Sequence, residues 1–327
     1  MPELSPSLAQ LYAPILDDLH KSELILRKEM RSKFPYVDEL VRYGCLLGGK
    51  RLRPALLLLS AQATGKVNEQ HLILAAVVEM IHTATLVHDD VLDEAEVRRH
   101  LATVNARWDN EASILLGDFL FTHAFYLAST LESTAGCRLI GRSTNIVCEG
   151  EIRQKGSRGN FEIAESEYLE ILEAKTAQLC ACCCELGARF SGASSVTVHQ
   201  LAEYGRYLGI AFQIADDLLD LDGDEGTVGK SLGTDLNKQK PTLPIIRTLA
   251  AAATADRVEL LEILEDTEPG QAARIRPYLH KYAAVKYTQQ KALKFAELAR
   301  QQLADLHDST AADTLRQLTQ FVVSRVH

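Results

Sequence analysis

The chain has nine prolines, and none lies between Pro54 and Pro241, so more than half of its 327 residues contain nothing that forces a helix to stop. Ala, Leu, Glu, Arg and Gln dominate this stretch, and all of them favour helix. No period-two alternation of apolar and polar residues is sustained, so no strand is expected. No internal repeat of fixed period is present. The pattern predicts an all-α helical bundle. Helices are expected at about 6–32, 36–46, 53–65, 69–91, 106–131, 138–156, 166–191, 196–221 and 242–253, with several more to the C-terminus. Loops are expected at 65–67, 156–160 and 222–234, the last carrying four glycines. No linker divides the chain, which predicts one domain over 1–327.

The net charge of −9 argues against a nucleic-acid binder, which needs a basic face. Hydrophobic residues make up 46% and aromatics only 6%, so the core must be mostly aliphatic. The longest apolar region, Leu72 to Leu92, is interrupted by Glu79, His82, His88, Asp89 and Asp90, so no transmembrane segment is expected. The N-terminal residues lack the basic start of a signal peptide. Seven cysteines without such a signal read as reduced thiols of a cytoplasmic protein. Four of them cluster at Cys180, Cys182, Cys183 and Cys184. With no histidine or second cysteine pair beside them in sequence, they read as small hydrophobes in a buried helix.

Two acidic clusters carry the chemistry. His88-Asp89-Asp90-Val91-Leu92-Asp93 ends an almost wholly apolar helical run. At about 100° per residue, Asp89 and Asp93 share one face, with Asp90 beside it. Phe212-Gln213-Ile214-Ala215-Asp216-Asp217-Leu218-Leu219-Asp220 repeats the Asp-Asp-x-x-Asp spacing and adds Gln213 to the same arc. Crowded carboxylates on apolar helices need a cation. Hard oxygen donors without thiolate or imidazole point to Mg²⁺, which completes its shell with waters and phosphate oxygens. The implied ligand is a diphosphate.

Cations accompany the clusters. Gly48-Gly49-Lys50-Arg51-Leu52-Arg53-Pro54 sets three of them after a glycine turn. Arg98 and Arg99 follow the first cluster, and guanidinium forks match phosphate oxygens. Lys175-Thr176 lies in a helix, and Lys230 and Lys240 flank the loop after the second cluster. His82 stands two turns before Asp89, about 20° away around the helix. The cations beside the clusters thus outnumber the six aspartates, so the excess acid lies elsewhere. Glu79-x-x-His82 occurs once, whereas a di-iron bundle needs two copies. Gly229-Lys230-Ser231 follows a helix and lacks the first glycine of a phosphate-binding loop.

These stretches, with TVNARW at 103–108, ILLGDFLFTHAF at 114–125, EGEIRQ at 149–154, AKTAQL at 174–179 and GKSLGTDLNKQKPTLP at 229–244, resemble the trans-isoprenyl diphosphate synthases, or polyprenyl synthetases. Within the family it resembles the long-chain type, such as the octaprenyl and solanesyl diphosphate synthases. The resemblance implies the all-α isoprenoid synthase bundle with a central active-site cavity, and a homodimer. It implies that Lys50, Arg53, His82 and Arg99 bind isopentenyl diphosphate. Asp89 and Asp93, supported by Asp90, would hold Mg²⁺ from one side, and Asp216 with Asp217 and Asp220 from the other. Arg98, Lys175, Lys230 and Lys240 would grip the allylic diphosphate. Lys175, Thr176 and Gln213 form the implied catalytic set beside its reacting carbon. Departures fall at His100 and Ala102, where Gly and Pro are usual, at Gln239, where Gly is usual, and after Gln154, where Lys155-Gly156 replaces an apolar pair.

Product length follows from Ala84 and Thr85, just before the first cluster. Bulky aromatics here close the tunnel in short-chain members, and small residues leave it open. A hexaprenyl or longer product, a quinone side-chain precursor, is expected. The alternatives are a farnesyl or geranylgeranyl diphosphate synthase, a non-catalytic regulatory subunit of a heteromeric synthase, and a terpene cyclase. The cyclase would lack the second diphosphate site at Lys50, Arg53 and Arg99. A silent subunit would usually lose one of the aspartate clusters.

Overall fold

In a computed structural model, residues 6–46, 49–98, 101–223, 233–266 and 270–324 are described. Helix dominates, as the missing prolines predict. Among the described residues the only extended pairing is a short antiparallel ladder, β1 (Val97–Arg98) with β2 (Leu101–Ala102). That ladder falls just after the first acidic cluster, where no strand was expected, because two residues per arm are too few for a period to register.

The chain divides into two compact units; four of the five boundaries fall inside helices, and the fifth, between Ala304 and Asp305, falls in a turn. The first contains Met1–Ser143, Cys182–Ala202 and Asp305–Leu315; the second contains Thr144–Ala181, Glu203–Ala304 and Arg316–His327.

The first unit begins with α1 (Pro6–Leu11), a 3₁₀ turn (Ala13–Ile15) and α2 (Leu16–Glu29). The single helix expected over 6–32 is therefore broken. Pro14 has no N–H to give, so the chain restarts its helix at that point. There follow α3 (Pro35–Leu46), α4 (Leu52–Thr64), α5 (Glu69–Leu92), the short α6 (Val104–Arg107) and α7 (Asn110–Ser129).

The axis of this unit is α5. Asn68 caps it, accepting from the His71 N–H, and His71 Nδ1 accepts from the Asn68 N–H in return. It packs against α2, α4 and α7 and buries Leu74, Val77, Val78, Ile81 and Val87. At Gly117 of α7 an added Cβ would lie 2.0 Å from His88 Nε2, so a larger residue here would require the His88 ring to swing aside. By length and composition α5 and α7 could each span a bilayer. The interruptions at Glu79, His82 and the aspartates do not remove α5 from that class, and its apolar length is used largely in the core.

In α8 (Thr134–Ser157), α10 (Gln178–Phe190), α11 (Ser195–Asp222) and the last helix (Thr310–Val323) the chain passes from one unit's residues to the other's. The helix expected over 166–191 is interrupted. α9 (Glu165–Leu172) runs into a π-helical turn at Glu173–Ala177 before α10 begins. Such turns are rare and often mark functional positions. The core of the second unit gathers Phe161, Leu221, Ile245, Leu260, Ile275 and Leu279. All seven cysteines are free thiols, and the run at 180–184 is buried.

Candidate active site

In the first unit the candidate residues collect at the start of α4 and the end of α5. Arg53 Nη1 lies 2.9 Å from His82 Nε2. A guanidinium can only donate, so Nε2 must accept. Lys50 is exposed just before α4. Asp89 and Asp93 are half-buried, and the Asp93 N–H still bonds to the Asp89 carbonyl, which holds the two carboxylates one turn apart. Asp90 is different. It is 1% exposed and pairs with Arg98, whose Nε donates at 2.9 and 3.1 Å and whose Nη2 lies 2.7 Å from Oδ1. Ala84 is buried and Thr85 half-buried, with the Thr85 hydroxyl donating to the His82 carbonyl. Gly48, Arg99, His100 and Lys230 lie outside the described residues.

In the second unit a small cavity of about 70 Å³ is lined by Tyr168, Lys175, Thr176, Gln213, Asp217 and Lys240, among others. The π turn places Lys175 and Thr176 on its wall. Glycines let neighbouring backbone approach this turn: a Cβ at Gly150 would sit 2.6 Å from the Lys175 nitrogen, and one at Gly209 would sit 2.6 Å from the Ala177 Cα. Lys175 Nζ donates to Glu151 at 2.7 Å and to Gln154 at 2.9 Å.

A hydrogen-bonded chain runs through the aspartates. Thr176 Oγ1 donates to Gln213 Oε1 at 3.1 Å, and Gln213 Nε2 donates to Asp217 Oδ1 at 2.8 Å. Tyr168 donates to the other Asp217 oxygen at 2.7 Å. Asp217 is 6% exposed, and both its oxygens are engaged. Asp220 accepts from the Thr234 N–H and hydroxyl and from the Asp235 N–H, which pins the start of the short helix Thr234–Asn237. Asp216 is half-buried. Lys240 is nearly buried, with Nζ 3.5 Å from Asp235. Gln239, where the resembled family has Gly, takes a left-handed φ of 56°, held by a bond from its side chain to the Leu264 carbonyl.

This carboxylate group is short of positive charge. Burial, then the charge of Asp235, pushes the Asp217 carboxyl up to about 7, against the hydrogen bonds of Gln213 and Tyr168. Asp220 is raised by the same two causes. Among the described residues no three acidic, histidine or cysteine side chains converge to enclose an ion by themselves. Hard oxygen donors that leave room for other ligands fit a Mg²⁺ ion that keeps waters and takes phosphate oxygens.

Several of these groups escaped the sequence reading. Tyr168 and the π turn left no signal. Asp235, Glu151 and Gln154 stood in the matched stretches without an assigned role.

The chain matches the polyprenyl synthetase family model over residues 34–282. It is 35% identical over 301 residues to the octaprenyl diphosphate synthase of Escherichia coli, covering 91% of this chain and 93% of that one. It is also 35% identical over 285 residues to a short chain isoprenyl diphosphate synthase of Methanothermobacter thermautotrophicus, covering 86% and 87%. Among solved structures, the polyprenyl synthase of Caulobacter crescentus, complexed with calcium and isoprenyl diphosphate, superposes with a TM-score of 0.92 at 33% identity, covering all of both chains. The chain belongs to the polyprenyl synthetase family, a family of prenyltransferases with the all-α fold.

Proposed function

We propose that this protein is a Mg²⁺-dependent trans-prenyltransferase that condenses isopentenyl diphosphate with an allylic diphosphate. The observation that carries the reading is the wall of the second unit's cavity. There two lysines and the Thr176–Gln213 pair stand beside aspartates short of positive charge.

Asp89, Asp93, Asp216 and Asp220 are the proposed metal-holding set, with Asp90 and Asp217 acting through the neighbours they bind. Bound Mg²⁺ supplies charge that stabilises the departing diphosphate. Arg98, Lys175, Lys230 and Lys240 bind the allylic diphosphate and draw charge the same way. The allylic C–O bond breaks, and the diphosphate leaves with the electron pair. The double bond of isopentenyl diphosphate, held by Lys50, Arg53, His82 and Arg99, attacks the allylic cation and forms the new C–C bond. The departing diphosphate takes the proton that restores a double bond. Thr176 Oγ1 and Gln213 Oε1 place oxygen beside the reacting carbon, where positive charge develops.

The product is a long-chain all-trans polyprenyl diphosphate, hexaprenyl or longer. Small Ala84 and Thr85 before the first aspartate support this reading. The relatives include both long- and short-chain synthases, so the test is direct. The protein is incubated with Mg²⁺, farnesyl diphosphate and excess isopentenyl diphosphate, and the extracted product is sized. Hexaprenyl or longer products are expected; a product that stops at geranylgeranyl contradicts the open tunnel.

The chain works as a single domain and a homodimer in the cytoplasm. Helices that run through four of the five unit boundaries and cysteines held as thiols support the first and last of these.

A further inference from the structure

Between Lys50 and Arg53, two proposed isopentenyl diphosphate ligands, stands an arginine of another kind. Arg51 is 3% exposed and holds a left-handed backbone, φ 52°. That conformation is uncommon outside glycine and persists only where surroundings enforce it. Here the side chain enforces it. Nε and Nη2 donate to Glu23 of α2 at 2.9 and 3.2 Å, and Nη1 donates to Glu79 of α5 at 2.5 Å.

Glu79 is 3% exposed, and its other oxygen, Oε2, has no hydrogen-bond partner. Arg51 is thus the group that compensates this buried charge. Glu23 has a second partner, Arg27, at 3.2 Å. Burial opposes ionisation of Glu23, but Arg51 and Arg27 outweigh it and hold the carboxyl below its ordinary value. The nearby Cys45 thiol is pushed up to about 12, by burial first and then by the Glu23 charge.

The geometry has a direction. Glu79 lies one turn before His82 on α5, and His82 Nε2 receives the Arg53 Nη1–H at 2.9 Å. The chain therefore closes a loop from Arg51 to Glu79, along one turn to His82, across to Arg53, and back two residues to Arg51. We propose that Arg51, clamped by Glu23 and Glu79, is a positioning residue that sets the spacing of Lys50, Arg53 and His82 for one diphosphate. It touches no substrate. It fixes the left-handed turn from which Lys50 and Arg53 diverge, and it ties that turn to the helix carrying His82. Loss of the clamp lets the cradle open without altering the reacting carbon's surroundings. This rests on the proposed function, since the cradle is that reading's isopentenyl diphosphate site.

The test is steady-state kinetics of Glu79→Gln, Arg51→Lys and Arg51→Met, with wild type and Arg53→Met alongside. Glu79→Gln keeps size and one hydrogen bond while removing the charge. KM does not depend on the concentration of active protein, so partial unfolding of a variant does not hide the answer. The clamp predicts that KM for isopentenyl diphosphate rises at least fivefold in Glu79→Gln and more in Arg51→Met, with Arg51→Lys between wild type and Arg51→Met. KM for the allylic diphosphate stays within twofold. Unchanged KM values with a lower rate, or an equal rise in both KM values, would mean that Arg51 serves stability alone. Absence of turnover in wild type would overturn the proposed function instead. The clamp is then read by calorimetric titration of isopentenyl diphosphate, where equal affinity of wild type and Glu79→Gln would overturn it.

Discussion

Arg98 closes on the carboxylate of Asp90 with two guanidinium nitrogens, Nε at 2.9 Å and Nη2 at 2.7 Å from Oδ1. Asp217 in the second motif is engaged in the same sense, by Gln213 and Tyr168. In both motifs the middle aspartate turns into protein and the flanking pair stays half-buried. Hydrogen bonds to charged groups contribute about 1.5–3 kcal/mol. Asp90→Asn is therefore expected to raise KM for the allylic diphosphate about tenfold or more, because Arg98 loses the partner that aims it. The Mg²⁺ concentration for half-maximal rate should stay unchanged, whereas Asp89→Asn should raise it. Titrating Mg²⁺ for both variants separates the two roles.

Tyr168 supplies one of two bonds to buried Asp217, and that bond lowers the Asp217 pKa. Tyr168→Phe leaves the cavity's size almost unchanged and removes about 1 kcal/mol of interaction. A drop in kcat of about fivefold is expected, with the acid limb of its pH profile moved to higher pH. The pH–rate profile of the variant checks both.

The helices and the repeated Asp-Asp-x-x-Asp spacing are legible in the chain because they depend on local rules: no proline, apolar periodicity and a fixed spacing of carboxylates. The break at Pro14 is equally local, since proline has no N–H to give. Other features were not local. Helical periodicity puts Asp90 close to the face of Asp89, and only the approach of Arg98 turns it inward. The π turn at Glu173–Ala177 is built from ordinary helix formers, and its cause is the close packing at Gly150 and Gly209. Nothing in the sequence around Arg51 marks it as buried, because its partners Glu23 and Glu79 come from distant helices.

Thr85 is half-buried one turn before Asp89, and its hydroxyl bonds only within its own helix. Thr85→Phe should shorten the product by several isoprene units with little loss of condensation rate. Chromatographic sizing of the extracted alcohols measures the shift. An unchanged length would place the tunnel elsewhere.

His71 is fully buried, accepting at Nδ1 from Asn68 and bonded through Nε2 to the Gly187 carbonyl at 3.1 Å. Nε2 must carry the proton, so the ring fits its site only when neutral. Burial lowers its pKa, against the raising effect of Gly187. A lowered pKa means that the unfolded chain binds the proton more readily. Its stabilising contribution is therefore full above the unfolded value, about 6.5, and is lost as pH falls through the folded value. Tm should fall between pH 7 and 5. In His71→Gln, which retains a capping-box side chain, that slope should be shallower.

The central claim is that two aspartate motifs serve one condensation. Its most direct measurement is the rate at which purified protein alone joins labelled isopentenyl diphosphate to an allylic diphosphate, with and without Mg²⁺, beside Asp89→Asn and Asp216→Asn. The account predicts turnover by the wild type only with the metal, and losses of about 10²–10³-fold in each variant, the size seen when one electrostatic stabiliser is removed. A wild type that is silent alone and turns over only with a second subunit, or variants that keep full activity, would contradict it.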